Sequence, residues 1–130
     1  IPTFNVSVGI IWNKNKILIS KRKKRGVLGG LWELPGGKAE HNESSVTCLY
    51  REIKEEIGIE IKNPDQIGKI KHQFSHFRIH LTGYHCFYHS GKEKANSSEA
   101  IKWISPKRII DYAFPRATLK LFALAGLIND

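Results

Sequence analysis

Methionine is absent from the chain, and acidic residues are scarce: 12 Asp plus Glu stand against 21 Lys plus Arg, a formal charge of +9 over 130 residues. Long apolar runs are missing too. The longest, Leu121 to Ile128, falls far short of the roughly 20 residues a bilayer span needs, so no membrane helix is expected and no secretory leader is readable. Cysteine is sparse. Cys48 and Cys86 stand alone, with no CxxC and no Cys/His ligand spacing, which speaks against structural zinc and suits a reducing, cytoplasmic setting with two buried thiols. Repeats, linkers and low-complexity stretches are also lacking. What remains, 41% apolar and 25% charged, is an ordinary globular composition. A chain of this length buries roughly two-thirds of its unfolded surface, so one domain over residues 1–130 is expected to hold a core without staples. The sequence opens at Ile1 rather than Met, as expected of a trimmed chain or a piece of a longer one.

The charge is unevenly spread. Lys14, Lys16, Lys21, Arg22, Lys23, Lys24 and Arg25 crowd one acid-free stretch, which is either a solvated loop after a strand or a patch that attracts phosphate, whether of a nucleotide or of DNA. Five acids, Glu40, Glu43, Glu52, Glu55 and Glu56, cluster soon after it. An acidic pocket inside a basic protein is the implication.

Periodicity places the elements. Val6, Val8 and Ile10, then Ile17 and Ile19, flank the polar Asn13-Lys14-Asn15-Lys16 as two antiparallel strands flank a tight turn. Gly26 to Gly37 reads as a short strand in a glycine-rich loop around Leu31 to Leu34. From Ser44 to Ile57, apolar residues recur at steps of three and four, and Gly58 supplies a stop, so the spacing predicts a helix. Gln73 to His85 alternates as a strand. On a helix His72, His76 and His80 would stack as metal ligands, but the period of two around them disfavours that alternative. Ile101 to Ile104 reads as a strand, Pro106 to Tyr112 as a short helix, and Ala117 to Ile128 as a final helix with Leu121, Leu124 and Ile128 on one stripe. An α/β sandwich of helices on a mixed sheet follows.

At about 100° per residue, Val46, Leu49, Tyr50, Ile53 and Ile57 share the core face of the main helix, while Glu52, Glu55 and Glu56 form a neighbouring acidic face. Such a face is either merely solvated or gathered for a purpose. Clustered carboxylates repel on a bare helix and suit a hard divalent cation, Mg²⁺ or Mn²⁺, which completes its shell with water and phosphate oxygens. Gly36 and Gly37, with no Cβ, would let backbone approach the same ion or a phosphate.

Gly37, Glu43 and the run Arg51-Glu52-Ile53-Lys54-Glu55-Glu56-Ile57-Gly58-Ile59 together resemble the Nudix box, complete at every defined position. Gly30-Leu31-Trp32-Glu33-Leu34-Pro35-Gly36-Gly37-Lys38 resembles the segment preceding it in MutT-type members, and the likeness extends to Phe114-Pro115. The resemblance implies a Nudix α/β/α sandwich and a Mg²⁺-dependent attack of water on a nucleoside triphosphate, oxidised guanine nucleotides above all, yielding a nucleoside monophosphate and pyrophosphate. Carried over, it implies Glu52, Glu55, Glu56 and the Gly37 carbonyl as metal ligands, Glu43 as support for the loop or the metal, and Arg51 as the tie within the box. Arg22, Glu33 and Lys38 would face the substrate.

Two positions depart from the MutT pattern. Ser97 stands where a glutamate is proposed as general base, with Glu99 two residues on as the nearest substitute. Thr118 stands where an asparagine reads the oxidised purine, one hydroxyl in place of an amide's donor and acceptor. A second resemblance joins Phe74-Ser75-His76 to the Phe-Ser-His loop of the C-terminal domain of MutY adenine glycosylases, and implies binding to DNA containing 8-oxoguanine as part of a longer chain. Otherwise a monomer is expected.

Overall fold

The structure, a computed structural model, describes residues 1–24 and 29–129. Arg25 of the basic run, and Gly26 of the glycine-rich stretch, lie outside them. Seven strands form one mixed sheet: β1 (Thr3–Asn13), β2 (Lys16–Lys21), β3 (Trp32–Glu33), β4 (Gly36–Lys38), β5 (Glu60–Gln73), β6 (Arg78–Ser90) and β7 (Ala100–Ile104). The expected hairpin is β1–β2, turned by Lys14 and Asn15 at φ 51° and 65°, as the strand twist requires of a two-residue loop. Along the main path the order is β3-β2-β1-β6-β5, with β4 also on β1 and β7 also on β2. Among the described residues only β1 and β6 run parallel, paired from Thr3 opposite Arg78 to Trp12 opposite Phe87.

Side-chain alternation builds a core on each face. Ile11 and Leu18 point to one side with Leu49, Ile53 and Ile57 of helix α1 (Ser45–Ile57). Ile10, Ile17 and Ile19 point to the other, where Leu121 and Phe122 of helix α2 (Arg116–Leu124) and Ile109 of a 3₁₀ turn (Pro106–Asp111) cover them. These are fully or almost fully buried, each contributing about 1.5–3 kcal/mol of transfer energy. Cys48 and Cys86 are free and buried, as expected.

Helix α1 has the ends its sequence encodes. Ser44 is the N-cap, its Oγ accepting from the Thr47 amide at 3.1 Å, and Gly58 at φ 83° donates its amide to the Lys54 carbonyl. Four expectations need correction. Val46 is exposed and Cys48 takes a place in the core stripe. Glu56 is buried, because its angle lies at the edge of the apolar stripe, under β2 and β4. The strand expected over Gln73 to His85 starts only at Arg78; residues 74–77 are a turn, with the Phe74 amide donating to the Phe77 carbonyl. The last helix stops at Leu124, since Gly126 at φ 74° turns the chain and lets the Leu127 amide reach back to Phe122.

Candidate active site

The acidic side of α1 faces β4, the glycine strand, and Arg51 organises it. Its Nε and Nη2 donate to the two oxygens of Glu43 at 2.7 and 2.8 Å, a forked pair of the strong charge-assisted kind. Nη1 reaches Glu52 at 2.7 Å and Glu55 at 3.1 Å, and Nη2 also donates to the Lys38 carbonyl at 3.0 Å. Glu43 in turn accepts from the Glu40 amide, so the loop before α1 is laced to the helix. These bonds hold the Glu43 carboxyl down at about 2, Arg51 being the main cause.

Glu56 is in a different setting. Its oxygens accept from Ser20 Oγ at 3.2 Å and from the Gly36 amide at 3.5 Å. Burial, with the like charges of Glu33 and Glu52 adding to it, pushes its carboxyl up to about 7. Glu33 is pushed up as well, by burial that outweighs the Arg22 guanidinium, whose Nη1 donates to it at 2.8 Å. Ser20 was not expected here. Its one signal in sequence is a hydroxyl interrupting the apolar run of β2.

A metal ion fits the chemistry of the donors. Glu52, Glu55, Glu56 and the Gly37 carbonyl offer hard oxygens, and a Cβ on Gly37 would overlap the Glu52 carboxylate, so the glycine is what lets that side chain lie against β4. Among the described residues no three acidic, histidine or cysteine side chains already converge on one point, because Arg51 draws Glu52 and Glu55 toward itself. His72, His76 and His80 fall on β5, the turn and β6 and form no cluster.

Two cavities meet at this edge. A cleft beside Glu56 is lined by Arg22, Lys23, Glu33, Gly36, Ser97 and Ser98. Sharing Arg22, Glu33 and Gly36 with it, a deeper cavity of about 320 Å³ runs between β1, β6 and the start of α2. Its walls are apolar, from Val6, Val8, Leu34 and Leu81 among others. Its polar groups include Glu33, Lys38, His72 and Thr118. Lys38 sits 4.1 Å from the Phe4 ring centre. Thus Arg22, Glu33, Lys38 and Thr118 come together as expected. Glu99 does not join them: it is exposed and outside both cavities, its amide tied to the Lys21 carbonyl where β7 begins to pair. Of Phe74-Ser75-His76, only Phe74 lines the deep cavity, while Ser75 and His76 are exposed at the turn.

The pKa displacements give a pH expectation for metal-free protein. An unfolded glutamate titrates near 4.5 and Glu56 in the fold at about 7, so the native state holds its proton more tightly. The stability this contributes is complete below about pH 4.5 and is lost as pH rises through 7, a change of order 3 kcal/mol. Glu43 acts oppositely and lower, losing its contribution as pH falls from 4.5 toward 2. In EDTA, the melting temperature is expected to fall between pH 5 and 7.5, and Glu56→Gln is expected to flatten that fall; an equal slope in both proteins refutes it.

The sequence matches the NUDIX domain family over residues 7–124. It is 34% identical over 116 residues to the CTP pyrophosphohydrolase of Escherichia coli, covering 89% of this chain and 86% of that protein. It is 37% identical over 79 residues to the 8-oxo-dGTP diphosphatase of Proteus vulgaris, covering 60% of this chain and 70% of that one. The fold superposes on the crystal structure of the MutT NUDIX hydrolase from Burkholderia pseudomallei with a TM-score of 0.84 at 24% identity, over 95% of this chain and 98% of the other.

Proposed function

This chain belongs to the Nudix hydrolase family, and from that premise we propose that it is a Mg²⁺-dependent pyrophosphohydrolase of the MutT type, cleaving nucleoside triphosphates and favouring oxidised guanine nucleotides such as 8-oxo-dGTP. The observation that supports this best is the shared wall. Arg22, Glu33 and Gly36 line both the base-sized apolar cavity and the cleft beside Glu56, so a nucleoside in the first would extend its phosphates into the second. Glu52, Glu55, Glu56 and the Gly37 carbonyl would hold the divalent ion, which when bound neutralises phosphate charge and acidifies water.

The chain's own groups do the rest. Arg22, fixed by Glu33, faces the phosphates, and Arg51 spaces the carboxylates. A water oxygen forms a bond to phosphorus, the phosphoanhydride bond breaks, and nucleoside monophosphate and pyrophosphate leave. The water's proton passes to Glu33, the carboxylate lining the cleft that is not assigned to the ion, rather than to Glu99. Thr118 contacts the base with its hydroxyl, against the apolar walls of Val6, Val8, Leu34 and Leu81.

Pyrophosphate release should be measured with Mg²⁺ on 8-oxo-dGTP, dGTP and CTP. A kcat/KM for 8-oxo-dGTP at least tenfold above both others is expected. Preference for CTP overturns the base assignment, and the absence of pyrophosphate from every substrate overturns the reaction.

A further inference from the structure

Ser20 stands behind the acidic cleft. It is wholly buried and lines neither the cleft nor the nucleotide cavity, so it does not touch a nucleotide held there. Its backbone is fixed from two sides, opposite Glu33 of β3 and Ile101 of β7. Alternation along β2 turns Leu18 and Ser20 toward α1, and Ile17 and Ile19 to the other face. Leu18 joins the apolar stripe of the helix. One step on, Ser20 meets Glu56, its Oγ donating to Oε1 at 3.2 Å.

The three carboxylates of the acidic face are held in two different ways. Glu52 and Glu55 both lean on Arg51, a partly exposed side chain with several free torsions. Glu56 takes part in no ion pair among the described residues. A buried carboxylate is costly unless it is paired or hydrogen-bonded, and here a hydroxyl with one torsion of its own, on a strand paired at both edges, supplies the bond. With Oε1 held by Ser20, Oε2 is the oxygen on the side of β4, where the Gly36 amide approaches it at 3.5 Å. The Gly37 carbonyl belongs to the same short strand. Carboxylates that ligate metal are themselves hydrogen-bonded, and removing such an outer partner typically costs roughly 10–100-fold in affinity.

We propose that Ser20 is a positioning residue for the divalent ion: by holding Oε1 of Glu56 it keeps Oε2 turned toward β4, ready to bind. The proposal rests on the reading of Glu56 as a ligand of that ion. It gives a reason for the one hydroxyl in the apolar run of β2. A serine kept only to satisfy a buried carboxylate would affect stability when removed and leave ion affinity alone.

The test titrates nucleotide-free protein with Mn²⁺ and reads the free ion by electron paramagnetic resonance, at about pH 8 so that protons compete little with the ion. Ser20→Ala is expected to weaken binding by roughly tenfold or more, and Ser20→Thr, which keeps the hydroxyl, to return it to within about threefold of wild type. In a Glu56→Gln background, Ser20→Ala should add less than about twofold, because the group it acts through has gone. In turnover of 8-oxo-dGTP, the Mg²⁺ concentration giving half the maximal rate should rise about tenfold in Ser20→Ala, with KM for the nucleotide at saturating Mg²⁺ within about twofold. Unchanged Mn²⁺ affinity in Ser20→Ala overturns the proposal, as does the full loss repeated in the Glu56→Gln background or an equal rise in the nucleotide KM. A folded Ser20→Thr as weak as Ser20→Ala also overturns it; should threonine not fit the buried site, the Glu56→Gln cycle decides. Failure of the ion reading is separate, and shows as Glu56→Gln binding Mn²⁺ as tightly as wild type.

Discussion

Glu55→Gln is expected to lower kcat by roughly 10²–10³-fold in saturating Mg²⁺ while the melting temperature stays within a degree or two. The two halves have separate causes. Glu55 is 60% exposed at its side chain, and its ion pair to Arg51 at 3.1 Å shares a guanidinium nitrogen already held by Glu52 at 2.7 Å. Losing an exposed i,i+4 pair of this kind costs about 0.3–0.5 kcal/mol, and glutamine keeps the helix propensity. If Glu55 ligates the ion, however, the amide takes away one negative charge from a hard-cation site, and a loss of about 3–4 kcal/mol of transition-state stabilisation is the scale that corresponds to 10²–10³. Glu40→Gln is the matched control: it is equally surface-placed, 3.7 Å from the same guanidinium, and outside the acidic face of α1. Wild-type turnover in Glu55→Gln with a normal melting curve would remove Glu55 from the metal site.

That contrast between exposure and role also separates what was legible in the sequence from what was not. Helix α1 was legible because everything that makes it is local: the Ser44 cap, the three-and-four spacing of Leu49, Ile53 and Ile57, and Gly58. The hairpin was legible for the same reason. The 14-residue strand β5 was not, although it is the longest in the sheet. It lies at the edge, carries Asn63, Pro64 and Gly68, and slips register between Lys62 and Asp65 and again between Gln66 and Gly68. Each of these disturbs the period of two, and an edge strand with bulges can hold a proline that a central one cannot.

The acidic cluster divides along the same line. Its membership followed from spacing, but the environments did not: Glu55 in water, Glu52 against Gly37, and Glu56 beneath Ser20 and the Gly36 amide. Burial at Glu56 depends on β2 and β4, which are distant in sequence. Glu99, two residues from the expected position of a base, lies outside the cleft, whose rim Ser97 and Ser98 supply instead.

The adjacent glycines of β4 should separate fold from catalysis most sharply. Gly36 has φ 152°, a region closed to other residues, and a Cβ there would overlap the Ser7 carbonyl oxygen and lie 2.7 Å from Val8 Cα. Backbone in the centre of the sheet cannot step aside, so Gly36→Ala is expected to cost roughly 3 kcal/mol or more and to unfold a large part of the protein at 37 °C. Gly37 has no such φ, and the three nearest atoms a Cβ on it would meet all belong to the Glu52 side chain. That carboxylate can rotate away. Gly37→Ala should therefore fold with about 1 kcal/mol of loss or less, yet cut turnover by 10²-fold or more, because Glu52 is driven out of the place from which it would bind the ion. Melting curves and pyrophosphate release on both variants measure the two effects. Glu52→Asp in the Gly37→Ala background then tests the steric cause: the shorter side chain removes the overlaps at Cδ and Oε2, leaving the 3.0 Å approach at Cγ, and should recover part of the activity. If the double variant is no better than Gly37→Ala alone, crowding of Glu52 is not the reason the glycine is needed.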